Sequence, residues 1–342
     1  MQHQLKTGVL LDNRGNLREA GYATSLVKKY ERDKIRANPL RIKEWDYYLI
    51  HNEHFGVALT VDDNSYMGLV SISFLDFDNR TERTVSPMRI MPAGKTNMPG
   101  DSGKGETRYR DKRSFFSFRV EEGRRVLRAS MENFHKGSPI RMKIILDQEP
   151  EDSMVIATPF EKERAFYYNQ KIVGMRAKGV VEYQGSRYYF HKEDSFGLLD
   201  WGRGVWTYEN TWYWSALQGR IDGKVFGFNL GYGFGDTSKA TENMLFYDGK
   251  AHKLDEVTFH IPGEEDGMED YLKPWTFTSS DGRLELEFTP ILDRKACTSV
   301  GILLSDQHQV FGRFDGQAML DDGTKIAVEH MLGFAEKVRN KW

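Results

Sequence analysis

Apolar and polar residues alternate in short runs through the second half of the chain. In "WTFTSSDGRLELEF" (275–288), Leu284, Leu286 and Phe288 take every second position after an Asp-Gly pair, and "AMLDDGTKIAV" (318–328) repeats the arrangement. A period of two places such residues on one face of a strand. Asp-Gly supplies the positive φ angles of a tight hairpin turn, and such pairs begin at Asp222, Asp248, Asp266, Asp281, Asp315 and Asp322. This half therefore reads as antiparallel hairpins. The first half carries "WDYYLI", "FGVALTV", "GLVSISFLDF", "SFFSFRV", "RVLRASM" and "RMKIILD", which are strands by the same criteria. Only "SLVKKYERDKIR" (25–36) and "HMLGFAEKVRN" (330–340) have helical spacing. The expectation is an all-β chain with few short helices.

A charged interruption, "FEKERAFYYNQK" (160–171), divides two strand-rich halves, so the expected units are 1–165 and 166–342, two β barrels or a large double β-sandwich. The stretch 92–113 has almost no apolar residue and an excess of basic ones, and reads either as a solvated connection or as a lid or phosphate contact.

In "KVFGFNLGYGFGD" (224–236), one strand face carries Phe226, Phe228, Leu230, Tyr232 and Phe234, and the other Gly227, Asn229, Gly231, Gly233 and Gly235. Glycines along one face imply that something bulky approaches the backbone there. The preceding stretch, "LDWGRGVWTYENTWYW" (199–214), holds Trp201, Trp206, Trp212 and Trp214, four of the chain's seven tryptophans. Joined through Asp222-Gly223, the two segments are expected to lie side by side, with indoles over glycines, either as core or as the wall of a ligand cavity. "GYGFGD" imitates a nucleotide loop, but its glycines alternate with aromatics and open no helix.

Asp200 and Arg203 lie inside the tryptophan stretch. Either they pair, which holds Asp200 ionised, or Asp200 is buried without a counter-charge and serves as a proton donor. Glu242 is a second candidate acid or a plain turn residue, and Asn243 beside it orients a ligand or a loop. Asn229 and Tyr232 complete the candidate ligand-binding set with Trp201, Arg203, Trp206, Trp212 and Trp214.

Composition narrows the classes. Lys plus Arg at 48 against Asp plus Glu at 50 provides no global field for nucleic acid, although a local patch is compatible with it. A single cysteine, Cys297, excludes an internal disulfide and fits a reducing compartment. The start lacks a basic leader with an apolar run, and no segment reaches the roughly 20 apolar residues of a membrane span, so a cytoplasmic chain without stable membrane insertion is expected. The nine histidines show no close ligand spacing and no "GxSxG" elbow occurs, so neither a metal, a cofactor nor Ser-His-Asp catalysis is expected. Exposed edge strands would suit a homodimer.

"RIKEWDYY", "LLDWGRGVW", "NLGYGFGDTSKATENMLFYDGKAHKLDEV", "FTPILDR", "QVFGRFDG" and "GFAEKV" together resemble a bacterial family known as domain of unknown function 2804, from residue 41 almost to the C-terminus. That family is distantly related to proteins of the carotenoid 1,2-hydratase and tocopherol cyclase type. The resemblance implies two lipocalin-like antiparallel barrels, a greasy ligand site, and acid-catalysed hydration, isomerisation or cyclisation. A non-catalytic carrier or sensor of lipid-like ligands and a carbohydrate-binding protein stand as alternatives.

Overall fold

A computed structural model describes residues 2–300 and 303–341 of the chain. Two large sheets account for almost all of it. The first runs, in spatial order, through Thr81–Val85, Met67–Asp76, Phe55–Asp63, Ile42–His51, Phe196–Val205, Phe166–Tyr183, Ser138–Asp147, Arg124–His135, Ser114–Glu121 and Glu106–Arg110. The second runs through Lys250–Lys253, Met244–Tyr247, Lys224–Tyr232, Glu209–Ile221, Lys325–Lys341, Leu303–Met319, Leu284–Val300, Trp275–Ser279 and Val257–His260. Neighbours along both paths are antiparallel; the short Gly8–Val9 and Lys28–Lys29 pair is parallel. The protein has an all-β, lipocalin-like fold. No helix among the described residues is long and apolar enough to cross a membrane.

The Asp-Gly turns do what their chemistry requires. Asp222 and Gly223 both take positive φ (51° and 79°), as do Asp248 and Gly249, and each pair closes a hairpin. Asp315-Gly316 instead marks a register shift inside a long strand, where the extra residue bends the ladder.

Both segments with helical spacing are extended. Residues 25–36 form the Lys28–Lys29 strand and a 3-10 turn, Arg32–Lys34. Tertiary partners override local spacing there: Lys28 bonds Glu19, and the Tyr30 hydroxyl donates to Glu44 Oε1 at 2.7 Å. Residues 330–340 lie within Lys325–Lys341, paired on both sides. Phe334 and Ala335 are both fully buried, each in a different core, and a strand covered on both faces loses its alternation.

The sheets change over at residues 206–208. Phe166–Tyr183 and Phe196–Val205, assigned from sequence to the second unit, pair within the first sheet. Each sheet curls around an interior of its own: Trp201, Phe116, Phe134 and Phe166 in the first, Trp275, Phe228, Phe277 and Phe314 in the second. The convex outer faces then pack on each other through Tyr47, Leu49, Leu198, Trp214, Phe311 and Phe334.

Much of the segment 92–113 is exposed, as a solvated connection would be, but it is anchored at buried points. Met98, Ser102 and Thr107 are buried, and Glu106–Arg110 is a sheet strand. Its carbonyls accept from core arginines, Pro99 O from Arg203 Nη2 at 2.9 Å and Ser102 O from Arg125 Nη1 at 2.6 Å, so it plugs the end of the first interior.

Candidate active site between the two sheets

Period-two alternation sorts the tryptophan stretch onto opposite faces. On Phe196–Val205, Trp201 and Arg203 point into the first interior, while Asp200, Gly202 and Gly204 face outward, toward the second sheet. Trp45 stands opposite Gly202 in register, and a Cβ on Gly202 would fall 1.9 Å from Trp45 Cζ2. Glycine is thus required for the indole to lie flat across the strand. Tyr167 stacks on Trp45 (5.8 Å between centroids, 12° between planes), and Trp206 meets Trp45 edge-on at 5.0 Å. Across the gap stand Trp212, Trp214 and Glu336 of the second sheet. Together they enclose a cavity of about 570 Å³, within the range that holds a drug-sized ligand. The cavity lies between the sheets and not inside either curled interior, which corrects the expected barrel pocket.

Lys171 organises the charges on one wall. Its Nζ is 3.0 Å from Glu242 Oε2, 3.7 Å from Asp200 Oδ1 and 3.2 Å from Asn169 Oδ1, and it lies 4.7 Å from the Trp214 ring centre. Burial opposes its charge, but Asp200 and Glu242 outweigh that and hold the ammonium above the usual lysine range. Asp200 also accepts from Asn169 Nδ2 at 2.6 Å and from Trp45 Nε1 at 3.0 Å. Its partners are thus an ammonium, an amide and an indole, all of them donors.

Glu336 faces the same cavity with indole and amide donors in place of a cation. Burial pushes its carboxyl up, and nearby Asp200 adds to the rise, against donors from Trp212 Nε1 (3.0 Å), Gln307 Nε2 (3.2 Å) and Gln309 Nε2 (3.0 Å). Gln309 is oriented in turn by the Tyr47 hydroxyl, which donates to its Oε1 at 3.2 Å. A fourth carboxyl, Asp62, lines the cavity from Phe55–Asp63; burial pushes it up to about 7, and its Oδ1 accepts from Leu69 N. A carboxyl raised by folding stabilises the fold at low pH and loses that contribution as pH rises through its folded value. Asp62→Asn should therefore be more stable than the parent above pH ~7, with the difference fading below pH ~5; urea midpoints across pH check this, and a difference that grows toward low pH would refute it.

The residues expected from sequence separate into three groups. Asp200, Glu242, Trp206, Trp212 and Trp214 all line the cavity. Asn229 stands just behind it, accepting from Trp214 Nε1 at 2.8 Å and donating to Glu242 Oε2 at 3.1 Å. Trp201, Arg203, Tyr232 and Asn243 lie elsewhere. Trp201 packs between Tyr30 and Tyr168. Arg203 pairs with Asp46 at 3.0 Å rather than with Asp200, because neighbours on a strand face opposite ways and residues three apart do too. Tyr232 stacks on Tyr213, and Asn243 Oδ1 accepts from Gly231 N at 2.8 Å. The space above Gly231 is filled by the Glu242 carboxyl, 2.6 Å from where a Cβ would stand, and Trp214 is its cross-strand partner.

Trp45, Lys171 and Glu336 were not among the expected site residues. Trp45 and Glu336 sit within "RIKEWDYY" and "GFAEKV", phrases that carry the family resemblance, and Lys171 is the one charged residue of the stretch 166–175. Their convergence depends on strand pairing across more than a hundred residues.

The chain matches the family described as a domain of unknown function (DUF2804) over residues 2–342, and it belongs to that family. No curated protein matches it. Among solved structures, kievitone hydratase from Nectria haematococca is similar at 10% identity with a TM-score of 0.51, covering 98% of each chain. CghA with Sch210972 is similar at 13% identity and 0.53, covering 98% of this chain and 97% of that one. A protein from Nitrosomonas europaea provisionally assigned as an AttH is similar at 14% identity and 0.53, covering 92% and 98%. At these identities the likeness is one of fold.

Proposed function

We propose that this member of the DUF2804 family binds an apolar, unsaturated small molecule between its two sheets and adds a proton to a carbon–carbon double bond, with water or a hydroxyl of the ligand capturing the cation. One observation carries the reading: Glu336, desolvated, and Asp200, paired with Lys171, face the same aromatic space. A desolvated carboxyl favours its protonated form, and a second carboxyl beside a cation is placed to take a proton from water, which divides the roles of acid and base. Glu336 is the acid here, in place of the Asp200 expected from sequence.

In the hydration form, the Glu336 O–H bond breaks as a C–H bond forms on the alkene. The indoles of Trp212 and Trp214 face the resulting cation, which ring faces attract. A water oxygen then forms the C–O bond and gives its proton to the Asp200 carboxylate. Asp200 releases that proton to solvent and Glu336 regains one from it, so the sum is alkene plus water to alcohol. The name of one structural neighbour, a hydratase, fits this reaction class.

Farnesol and β-ionone serve as probes. Each should quench tryptophan fluorescence, since four indoles line the cavity, and at least one should yield an alcohol or ring ether that is absent without protein. In heavy-oxygen water the alcohol should carry the label. Quenching with no product after prolonged incubation would assign the cavity to a carrier instead.

A further inference from the structure

The outer face of the first sheet continues away from the cavity into a strongly basic surface. Across Glu106–Arg110, Ser114–Glu121, Arg124–His135 and Ser138–Asp147, its side chains include Arg108, Arg110, Arg119, Arg128, Arg141 and Lys143 against Glu106, Glu121 and Glu132. Arg119 pairs with Glu121 and Arg141 with Glu132. Among the described residues, Arg108, Arg110, Arg128 and Lys143 have no carboxylate at ion-pair distance. Arg128 and Lys143 are direct cross-strand partners, and Arg108 joins the same row through Ser117. With strands ~4.8 Å apart, like charges set side by side are unfavourable unless an anion lies over them. Arg108, Arg119 and Arg128, together with Glu106 and Glu121, surround a shallow hollow of about 140 Å³ beside Phe115.

Next to this surface is an apolar edge. Ile90 is 91% exposed, Met88 63% and Met91 48%. Arg89, between Met88 and Ile90, lies 4.6 Å from the ring centre of Tyr109 on the inner side, which brings the two strands together; by alternation Met88 and Ile90 on one, and Arg108 and Arg110 on the other, take the outer side. In register, Met88 stands opposite Leu69 and Ile90 opposite Met67, and Leu69, Met67 and Met88 all line the cavity. The exposed edge is therefore the rim of the cavity's mouth.

We infer that this face docks on an anionic lipid surface, with Ile90 and its neighbours entering the headgroup boundary and the arginine rows lying over lipid phosphates. Apolar insertion and cation attraction are the two contributions that hold a protein on such a surface, and here they adjoin one opening. Docked in this way, the cavity would open toward the phase in which an apolar ligand is dissolved. A single-stranded nucleic acid would use the arginine rows without the apolar rim, and a second copy of the chain would bring cations against cations. Lipid is the partner that uses both halves of the surface.

The test is co-sedimentation of the full chain with vesicles of equal phosphatidylglycerol and phosphatidylcholine, and with phosphatidylcholine alone. The protein should bind the mixed vesicles, release them in salt of about 0.5 M, and leave the neutral ones unbound. Ile90→Glu and Arg128→Glu should each weaken partition by about ten-fold, with unchanged circular dichroism, and Arg128→Glu, remote from the cavity, should leave quenching by soluble β-ionone unchanged. Milder Ile90→Gln and Arg128→Gln stand in if a charge-reversed variant misfolds. Failure of the parent to bind mixed vesicles overturns the proposal, as does binding that Ile90→Glu leaves untouched, or salt-sensitive capture of a single-stranded oligonucleotide in preference to vesicles. Loss of dimer mass in Ile90→Glu without vesicle binding by the parent would assign the face to self-association. Vesicle binding is read without any reaction, so its failure is separate from failure of the proposed chemistry.

Discussion

Glu336→Gln should lower kcat on any alkene the protein turns over by about 10²–10⁴-fold, the range attributed to one positioned acid, with KM little changed. The glutamine keeps the shape and the bond from Trp212 Nε1 but cannot supply the proton. Its stability cost should be about 1 kcal/mol, the scale of one altered hydrogen bond, because Gln307 and Gln309 can rotate their amides to suit the new side chain. The parent should also lose activity as pH rises through the raised Glu336 value, since only the protonated carboxyl donates. The residual rate of the variant should lack that limb. Asp62→Asn is the decisive comparison, for Asp62 lines the same cavity and is also raised by burial. If Asp62→Asn abolishes turnover while Glu336→Gln spares it, the acid is Asp62 and the assignment made here is wrong.

Lys171→Met should destabilise the protein by about 3–5 kcal/mol, the usual consequence of leaving a buried charge without its partner. Two carboxylates lose their counter-ion at once, Glu242 at 3.0 Å and Asp200 at 3.7 Å, with all three side chains nearly inaccessible. The informative experiment is the triple variant Lys171→Met, Asp200→Asn, Glu242→Gln. Removing the whole charged set takes away the unpaired anions, so its urea midpoint should recover most of the loss. A triple variant as unstable as the single one would mean that Lys171 supports the fold by packing rather than by charge. The ammonium is raised, so its contribution is fully present at neutral pH and is lost only as pH climbs beyond the usual lysine range.

The fold was legible in the sequence where local chemistry decides the outcome. Asp222-Gly223 fixes a turn through its own backbone preference, and the alternation at Leu284, Leu286 and Phe288 records one buried face. The readings failed where a strand is buried on both faces, as at Phe334 and Ala335, because the period then vanishes. Site residues followed the same rule. Asp200 and Trp214 were found because they stand in a dense aromatic stretch, whereas Trp45, 155 positions from Asp200 yet bonded to it, carries no local mark of that contact. Arg203 illustrates the opposite error, since nearness along the chain suggested a pair that alternation sends to opposite sides.

The meeting of two convex surfaces, each over a core that is already complete, leaves room for divergence. Substitutions at Trp206, Gln307 or Thr60 would reshape the gap without disturbing either hydrophobic interior. Descendants of such a chain could exchange one guest for another while folding as their ancestor did, and two members sharing every turn and core residue need not share a substrate.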